Sequence, residues 1–148
     1  MKEIQGNEIA KIGKLDNETL QEIVKFQQHA AKLLQVKLDD QPHDIVKVIT
    51  EWVRELKSNK QTLENDDCIA LGVLLGEQYV RAFRWHWGTV NDSSAAVLNA
   101  DNSIAIQPIF WVDEVVTNRE GTNFMLNFNM VADGNMPICP PNTAMWFH

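Results

Sequence analysis

The second half of the chain has very few basic residues. No lysine occurs after Lys60, and residues 61–148 contain three arginines against ten Asp and Glu, whereas residues 1–60 contain ten residues of each sign. The net charge of −7 therefore belongs to the C-terminal part. Binding to DNA or RNA needs a basic surface that neutralises phosphates, so this distribution argues against a nucleic-acid partner. It predicts an acidic surface that attracts a basic protein, although a role in solubility alone also accounts for it.

Cysteines and long apolar runs are also scarce. Two cysteines cannot make a disulfide framework, so we expect free thiols, with Cys68 in a helix core and Cys139 in a turn. The longest apolar run, "CIALGVLLG", is about half of the roughly 18 residues that cross a membrane. The N-terminal stretch carries charges where a signal peptide needs an apolar segment. These absences predict a soluble cytoplasmic protein with no membrane contact.

Motifs for metal binding and catalysis are missing as well. The four histidines, His29, His43, His86 and His148, are scattered and show no ligand spacing. The sequence contains no CxxC or HExxH motif for a metal and no GxSxG elbow for a nucleophile. We therefore expect no metal and no cofactor, and a non-enzymatic protein is favoured over an enzyme.

Apolar residues at helical spacing predict three helices in the first 83 residues. Asp16 or Asn17 caps the first helix, and Pro42 suits the first position of the second, which Asn59 ends as a left-handed cap. Thr62 is the expected cap of the third. The first two helices, joined by a short acidic turn, are expected to form an antiparallel hairpin. The predicted extents are 16–38, 42–59 and 63–83.

The third helix contains two glycines four residues apart, Gly72 and Gly76. Each costs a helix about 1 kcal/mol relative to alanine, so their presence needs a structural reason. A phosphate-binding loop lies between a strand and a helix start, and these glycines lie inside a helix instead. We therefore expect another backbone to pack closely there. Glu77 and Arg81, also four apart, are expected to form an ion pair.

The next stretch, "RWHWG", predicts a strand with Trp85 and Trp87 on one side and Arg84 and His86 on the other. Two more short strands, "AAVLN" and "SIAIQP", are joined by a turn of Asp and Asn residues, which predicts an antiparallel meander. The segment after Pro108 is interpreted as helical or irregular rather than as a bent strand.

Two segments near the C-terminus are also assigned. For "TNFMLNFNMVADG", both helix and strand remain open. The helix is preferred because Thr122 at its start and Gly134 after its end agree. The final "TAMWFH" is expected to return as an edge strand beside the meander.

Two interpretations of "RWHWG" remain open. In one, Glu77, Arg81, Arg84 and His86 surround a polar groove that binds a small ligand or performs catalysis. In the other, the tryptophans are buried and Arg84 and His86 face solvent, which explains each residue without a site. The acidic pair Asp113 and Glu114 joins these four residues as the remaining candidates for binding.

The helix "LGVLLGEQYV", the aromatic strand, the hairpin and the proline after "SIAIQ" together resemble a family of small acidic bacterial proteins with no known activity. The resemblance covers roughly residues 65–120 and rests on Leu71, Gly72, Gly76, Trp87 and Pro108. It implies an α+β fold and assigns no catalytic residues.

The sequence as a whole predicts a single α+β domain over residues 1–148, with N-terminal helices packed on a small antiparallel sheet. Residues 1–60 hold the helical hairpin and a loosely ordered start at residues 1–15, and residues 61–148 hold the rest. The favoured function is a non-enzymatic module, of an immunity or adaptor type, that binds a basic protein partner. The alternatives are a small-ligand protein or enzyme near Arg84 and His86, and a homodimer formed through the "MWFH" edge.

Overall fold

The computed structural model describes residues 8–118 and 121–148 and has the predicted α+β fold. Within these residues, five helices pack against a five-stranded sheet. The helices are α1 (Asn17–Leu34), α2 (Pro42–Ser58), α3 (Asn65–Phe83), α4 (Pro108–Thr117) and α5 (Phe124–Ala132). The strands are β1 (Ile12–Gly13), β2 (His86–Val90), β3 (Ala96–Leu98), β4 (Ile104–Ile106) and β5 (Met145–Trp146).

The strands lie in the order β1-β2-β3-β4-β5, and the predicted meander is confirmed by the antiparallel pairing of β2, β3 and β4. Trp87 lies opposite Val97 in this register. The side chain of Asn99 accepts a hydrogen bond from the Ile104 amide at 3.0 Å and closes the turn between β3 and β4. The predicted C-terminal edge strand is also confirmed, since β5 pairs with β4 in parallel.

The N-terminal segment is more ordered than expected. Ile12 pairs with Val90, and the amide of Ala10 donates to the carbonyl of Asn142 at 2.7 Å. The expectation of a loosely ordered start is therefore wrong for residues 10–13, while residues 1–7 lie outside the described part of the chain. This segment covers a second, small apolar cluster on the sheet, formed by Val90, Ala96, Leu98, Ala105 and Ala144.

Helix α3 is the centre of the fold. From Cys68 to Tyr79 almost every residue is buried, because the helix is apolar on nearly all sides and α1, α2 and α4 pack around it. The expected packing of α1 against α2 as a hairpin is not found: the two helices make few contacts with each other, α1 packs mainly on α3, and α2 packs about equally on α3 and α5. A helix buried on every side offers both of them more apolar surface than they offer each other.

The first helix ends earlier than predicted and presents a different face. It stops at Leu34, where Gln35 adopts a left-handed conformation with φ of 57°, so Leu38 lies beyond it. Leu20 and Val24 are exposed, although the apolar spacing placed them on the buried side. The cap prediction is confirmed, because the Asp16 side chain accepts a hydrogen bond from the Thr19 amide at 2.8 Å.

Three other helix ends differ from the prediction by one or two residues. The left-handed residue after α2 is Lys60, with φ of 55°, rather than Asn59. Glu64 caps α3 instead of Thr62, and Asn123 caps α5 instead of Thr122, and neither cap makes a side-chain hydrogen bond. Tertiary packing sets these ends, because no strong local cap competes with it.

The two glycines of α3 allow the close contact that the sequence predicts. A Cβ on Gly72 would lie 2.5 Å from the Cα of Ile109, so only a hydrogen fits between α3 and α4 at this point. A Cβ on Gly76 would lie 2.6 Å from the Trp87 ring and 2.9 Å from the Pro108 ring. Glycine lowers the intrinsic stability of the helix at these positions, but it allows α4 and β2 to pack directly on the backbone of α3.

We predict that Gly72→Ala lowers the free energy of unfolding by about 2 kcal/mol. Alanine favours the helix, but its methyl group would push the backbone of α4 away, and overpacking of this kind costs about 1–3 kcal/mol. Urea unfolding followed by tryptophan fluorescence measures the change. Gly121→Ala is the control, because a Cβ there meets nothing within 4 Å. Equal stability of the two variants would contradict the proposed close packing.

Candidate functional site

The tryptophans of "RWHWG" are structural. Trp85 is 5% exposed and packs on the ring of Tyr79, with ring centroids 5.3 Å apart. Arg84 is exposed and ends α3 in a left-handed conformation with φ of 60°. His86 is exposed at the start of β2, and its Nε2 donates to the carbonyl of Asn99 at 3.2 Å. Trp85 is thus buried and Arg84 and His86 face solvent, as in the interpretation without a site, but Trp87 is only partly buried, and Arg84 and Trp85 precede the strand instead of belonging to it.

The polar side chains near this strand are bonded to separate partners. The indole of Trp87 donates to Glu77 Oε1 at 3.0 Å, and Arg81 donates to the side chain of Gln78 at 2.7 Å. The expected ion pair between Glu77 and Arg81 is therefore wrong: each side chain has found another partner. The structure does not bring Glu77, Arg81, Arg84 and His86 together through hydrogen bonds or ion pairs among the residues it describes.

Carboxylates occur on two helices that pack together: Glu64, Asp66 and Asp67 at the start of α3, and Asp113 and Glu114 on α4. Helix α4 runs back along α3: Pro108 packs at Gly76, Ile109 at Gly72, and Asp113 acts electrostatically on Cys68. The end of α4 therefore reaches the start of α3. We call the resulting surface the acidic face; it consists of Glu64, Asp66, Asp67, Asp113 and Glu114.

In the described part of the chain, the carboxylates of the acidic face have few ion-pair partners, and Lys60 lines another cleft together with Glu64 and Asp67. Asp67 accepts a hydrogen bond from His29 Nε2 at 2.6 Å, which links α1 to α3. Among the described residues, no lysine or arginine forms an ion pair with any of the five carboxylates. The other four, Glu64, Asp66, Asp113 and Glu114, are exposed. The field of this surface is therefore screened mainly by solvent and salt.

Helix dipoles explain only part of this charge. Glu64, Asp66 and Asp67 lie at the N-terminus of α3, where negative charge stabilises a helix. Asp113 and Glu114 lie toward the C-terminus of α4, where a carboxylate is unfavourable, and the last turn has no basic residue. The nearby N-terminus of α3 offsets some of that cost. Stability of α4 by itself therefore gives no reason for these two residues.

The remaining described carboxylates after residue 60 lie elsewhere and have local roles. Asp92 forms an ion pair with Lys11 at 3.1 Å, and Asp101 accepts a hydrogen bond from the Ser103 amide at 3.1 Å. Asp133 ends α5. The predicted gathering of negative charge therefore does not extend to these residues, and for the acidic face it stays a prediction.

A cleft of about 350 Å³ opens beside the acidic face, between the α2–α3 loop and α4. We call it the α3–α4 cleft. Burial, with a smaller effect of Asp113, raises the pKa of the Cys68 thiol to about 11, so the thiol is neutral at pH 7 and is a poor nucleophile. The α3–α4 cleft is lined by Gln61, Thr62, Leu63, Cys68, Asp113, Val116 and Thr117.

The sequence pattern does not predict this cleft. Asp113 is one of the predicted binding residues. The walls of the cleft, however, come from segments about fifty residues apart in the chain. Leu63 and Val116 each read as ordinary apolar positions of a helix. Only the packing of α4 on α3 brings the two walls together.

A second cleft, of about 250 Å³, lies between α5 and β5. Leu126 is 63% exposed and Trp146 is 41% exposed at this place. The His148 ring stacks on Trp111 at 5.3 Å between centroids, and its burial lowers the pKa of His148 to about 4. The homodimer expected through the "MWFH" edge, which contributes to the lining of this cleft, stays a prediction.

Several absences hold for the part of the chain that the structure describes. No group of three His, Cys, Asp or Glu there is arranged to hold a metal ion. None of the helices found within residues 8–118 and 121–148 combines the length and apolar character needed to cross a membrane. Both cysteines are free thiols; Cys68 is buried and Cys139 is partly buried.

Comparisons with protein-family models, with curated proteins and with solved structures find no match to this chain. The resemblance of residues 65–120 to a family of small acidic bacterial proteins therefore stays a prediction. The function has to be argued from the geometry of the acidic face and its cleft.

We predict opposite consequences for two neighbouring residues of "RWHWG". Trp85→Ala should lower the free energy of unfolding by about 3–5 kcal/mol, because it leaves a large cavity beside Tyr79. His86→Ala should change it by no more than about 1 kcal/mol, because the side chain is exposed and makes one hydrogen bond. Urea denaturation measures both values. A large loss for His86→Ala would show that this face of the strand has a role beyond the one described.

Proposed function

We propose that this protein is a non-enzymatic binding module whose acidic face engages a basic protein partner. The observation that carries the proposal is the placement of Asp113 and Glu114. Glu114 begins the last turn of α4, where a carboxylate is unfavourable, Asp113 directly precedes it, and no described lysine or arginine forms an ion pair with either residue. A partner that supplies positive charge would give these residues the counter-ions that the described part of the chain does not provide.

The physics of such a surface favours fast and selective encounter. Complementary charge raises association rates and disfavours partners of the same sign. Each exposed ion pair contributes only about 0.2–1 kcal/mol, so the acidic face alone gives moderate affinity. Additional apolar contact is needed for a stable complex, and the α3–α4 cleft lies where it could be made.

The proposal includes a cytoplasmic location and an immunity-type or adaptor role. Two free cysteines are in keeping with a reducing compartment, where thiols are not oxidised to disulfides. Both roles depend on holding one particular basic protein and need no catalysis. The alternative of a small-ligand protein or enzyme near Arg84 and His86 gains no support, because Glu77, Arg81 and His86 are each bonded to a different partner.

A pull-down from the organism that encodes the protein tests the proposal. The bait is compared with the triple variant Asp66→Asn, Asp113→Asn, Glu114→Gln at about 0.05 M and about 0.5 M NaCl, which spans strong and weak screening. We expect a basic protein to be captured at low salt and released at high salt. The triple variant should lose it, because three of the carboxylates that attract it have become neutral.

A matched control removes the same number of negative charges from two other helices. Glu22→Gln, Asp44→Asn and Glu51→Gln neutralise three exposed carboxylates of α1 and α2. This control should retain the partner. Capture of an acidic protein, binding that ignores salt, or an equal loss in both triple variants would refute the proposal.

A further inference from the structure

We infer that the α3–α4 cleft anchors one arginine side chain of the basic partner. This inference rests on the proposed function and states how the acidic face recognises its target. The cleft of about 350 Å³ is of a size that proteins use for small ligand groups, whose sites span about 300–1,000 Å³. It lies against three of the described segments that carry the acidic face: the α2–α3 loop, the start of α3 and the end of α4.

The walls of the cleft suit the aliphatic part of an arginine. Leu63 and Val116 are partly buried apolar residues that pack on the main core and face the cleft from opposite sides. Long cationic side chains bury their methylene stems along such surfaces while the charged head stays near polar groups. A stem between these two residues would add apolar contact that surface ion pairs do not supply.

The polar lining of the cleft suits a guanidinium head. Asp113 provides a carboxylate that is exposed and has no described ion-pair partner. Thr117 already donates its hydroxyl to the carbonyl of Asp113 at 2.8 Å, so its oxygen is left as an acceptor. Gln61 and Thr62 bring further oxygen acceptors. The thiol of Cys68 is neutral and adds no competing charge.

Arginine fits this lining better than lysine does. Its guanidinium has five donors in one plane, binds a carboxylate with two of them and is weakly hydrated. The ammonium of lysine is compact and strongly hydrated, so a half-apolar cleft gains less from it. An anionic ligand is disfavoured, because the carboxylate of Asp113 lines the cleft and would repel it.

Fluorescence anisotropy with labelled peptides tests the anchor. The probes are hexaarginine, hexalysine and hexacitrulline, the last being a neutral analogue of the first. The intact protein should bind hexaarginine about tenfold more tightly than hexalysine, and hexacitrulline should not bind. Asp113→Asn should weaken hexaarginine binding about tenfold, as expected for the loss of a charge-assisted hydrogen bond.

Glu114→Gln is the matched comparison, because it removes the same charge one residue away and outside the cleft. It should weaken binding only about twofold, which is the effect of an exposed ion pair. Thr62→Trp fills the mouth of the cleft and keeps every carboxylate. It should remove the preference for arginine over lysine while weak, salt-dependent binding of both peptides remains. Circular dichroism confirms that each variant is folded, and if Thr62→Trp is not, the comparison of Asp113→Asn with Glu114→Gln decides.

The outcomes separate this inference from the proposal on which it rests. Equal binding of hexaarginine and hexalysine, with equal losses in Asp113→Asn and Glu114→Gln, would overturn the anchor and leave the acidic face as a general attractor of basic proteins. If neither cationic peptide binds in a salt-dependent way, the acidic face itself is not a binding surface and both ideas fail.

Discussion

The backbone contact between α3 and α4 is the constraint on which the rest of the structure depends. It exists because Gly72 and Gly76 have no side chains where Ile109, Pro108 and Trp87 approach. Since Pro108 directly follows the end of the meander, the same contact also fixes the sheet against the helices. Its most distant effect is at the other end of α4, where Asp113 reaches the start of α3 and closes one wall of the cleft.

The burial of α3 has consequences for polar groups inside the core. Tyr79 is fully buried, and its hydroxyl donates to Asn127 of α5 at 2.5 Å; Asn127 in turn donates to the carbonyl of Phe147 at 2.8 Å. Buried polar groups are costly unless they are bonded, so this chain of hydrogen bonds connects α3, α5 and the end of the sheet in one arrangement. These hydrogen bonds fix the position of α5 relative to α3, in addition to the apolar contacts between the helices.

The same packing that stabilises the fold also organises its charge. Carboxylates at the start of α3 stabilise that helix, and the packing of α4 on α3 brings Asp113 into one cleft with Cys68 near that start. The acidic face therefore contains carboxylates that stabilise the start of α3 and carboxylates on α4 that do not stabilise their own helix. This difference between Asp66 and Asp113, rather than the total negative charge, is what supports a binding role.

The sequence by itself determined the α+β class, the meander and the close packing at the two glycines, while it left the segment after Pro108 open between helical and irregular structure. These features depend on short-range patterns: apolar spacing, turn residues and the conformational limits of proline and glycine. The tertiary structure alone decided that β1 exists, that α1 and α2 pack on α3 rather than on each other, and that Asp113 joins Leu63 in one cleft. A strand of two residues has no period to detect, and contacts between residues some fifty positions apart depend on how whole elements pack. The candidates around His86 were chosen by residue type, and their hydrogen-bond partners became evident only in the folded chain.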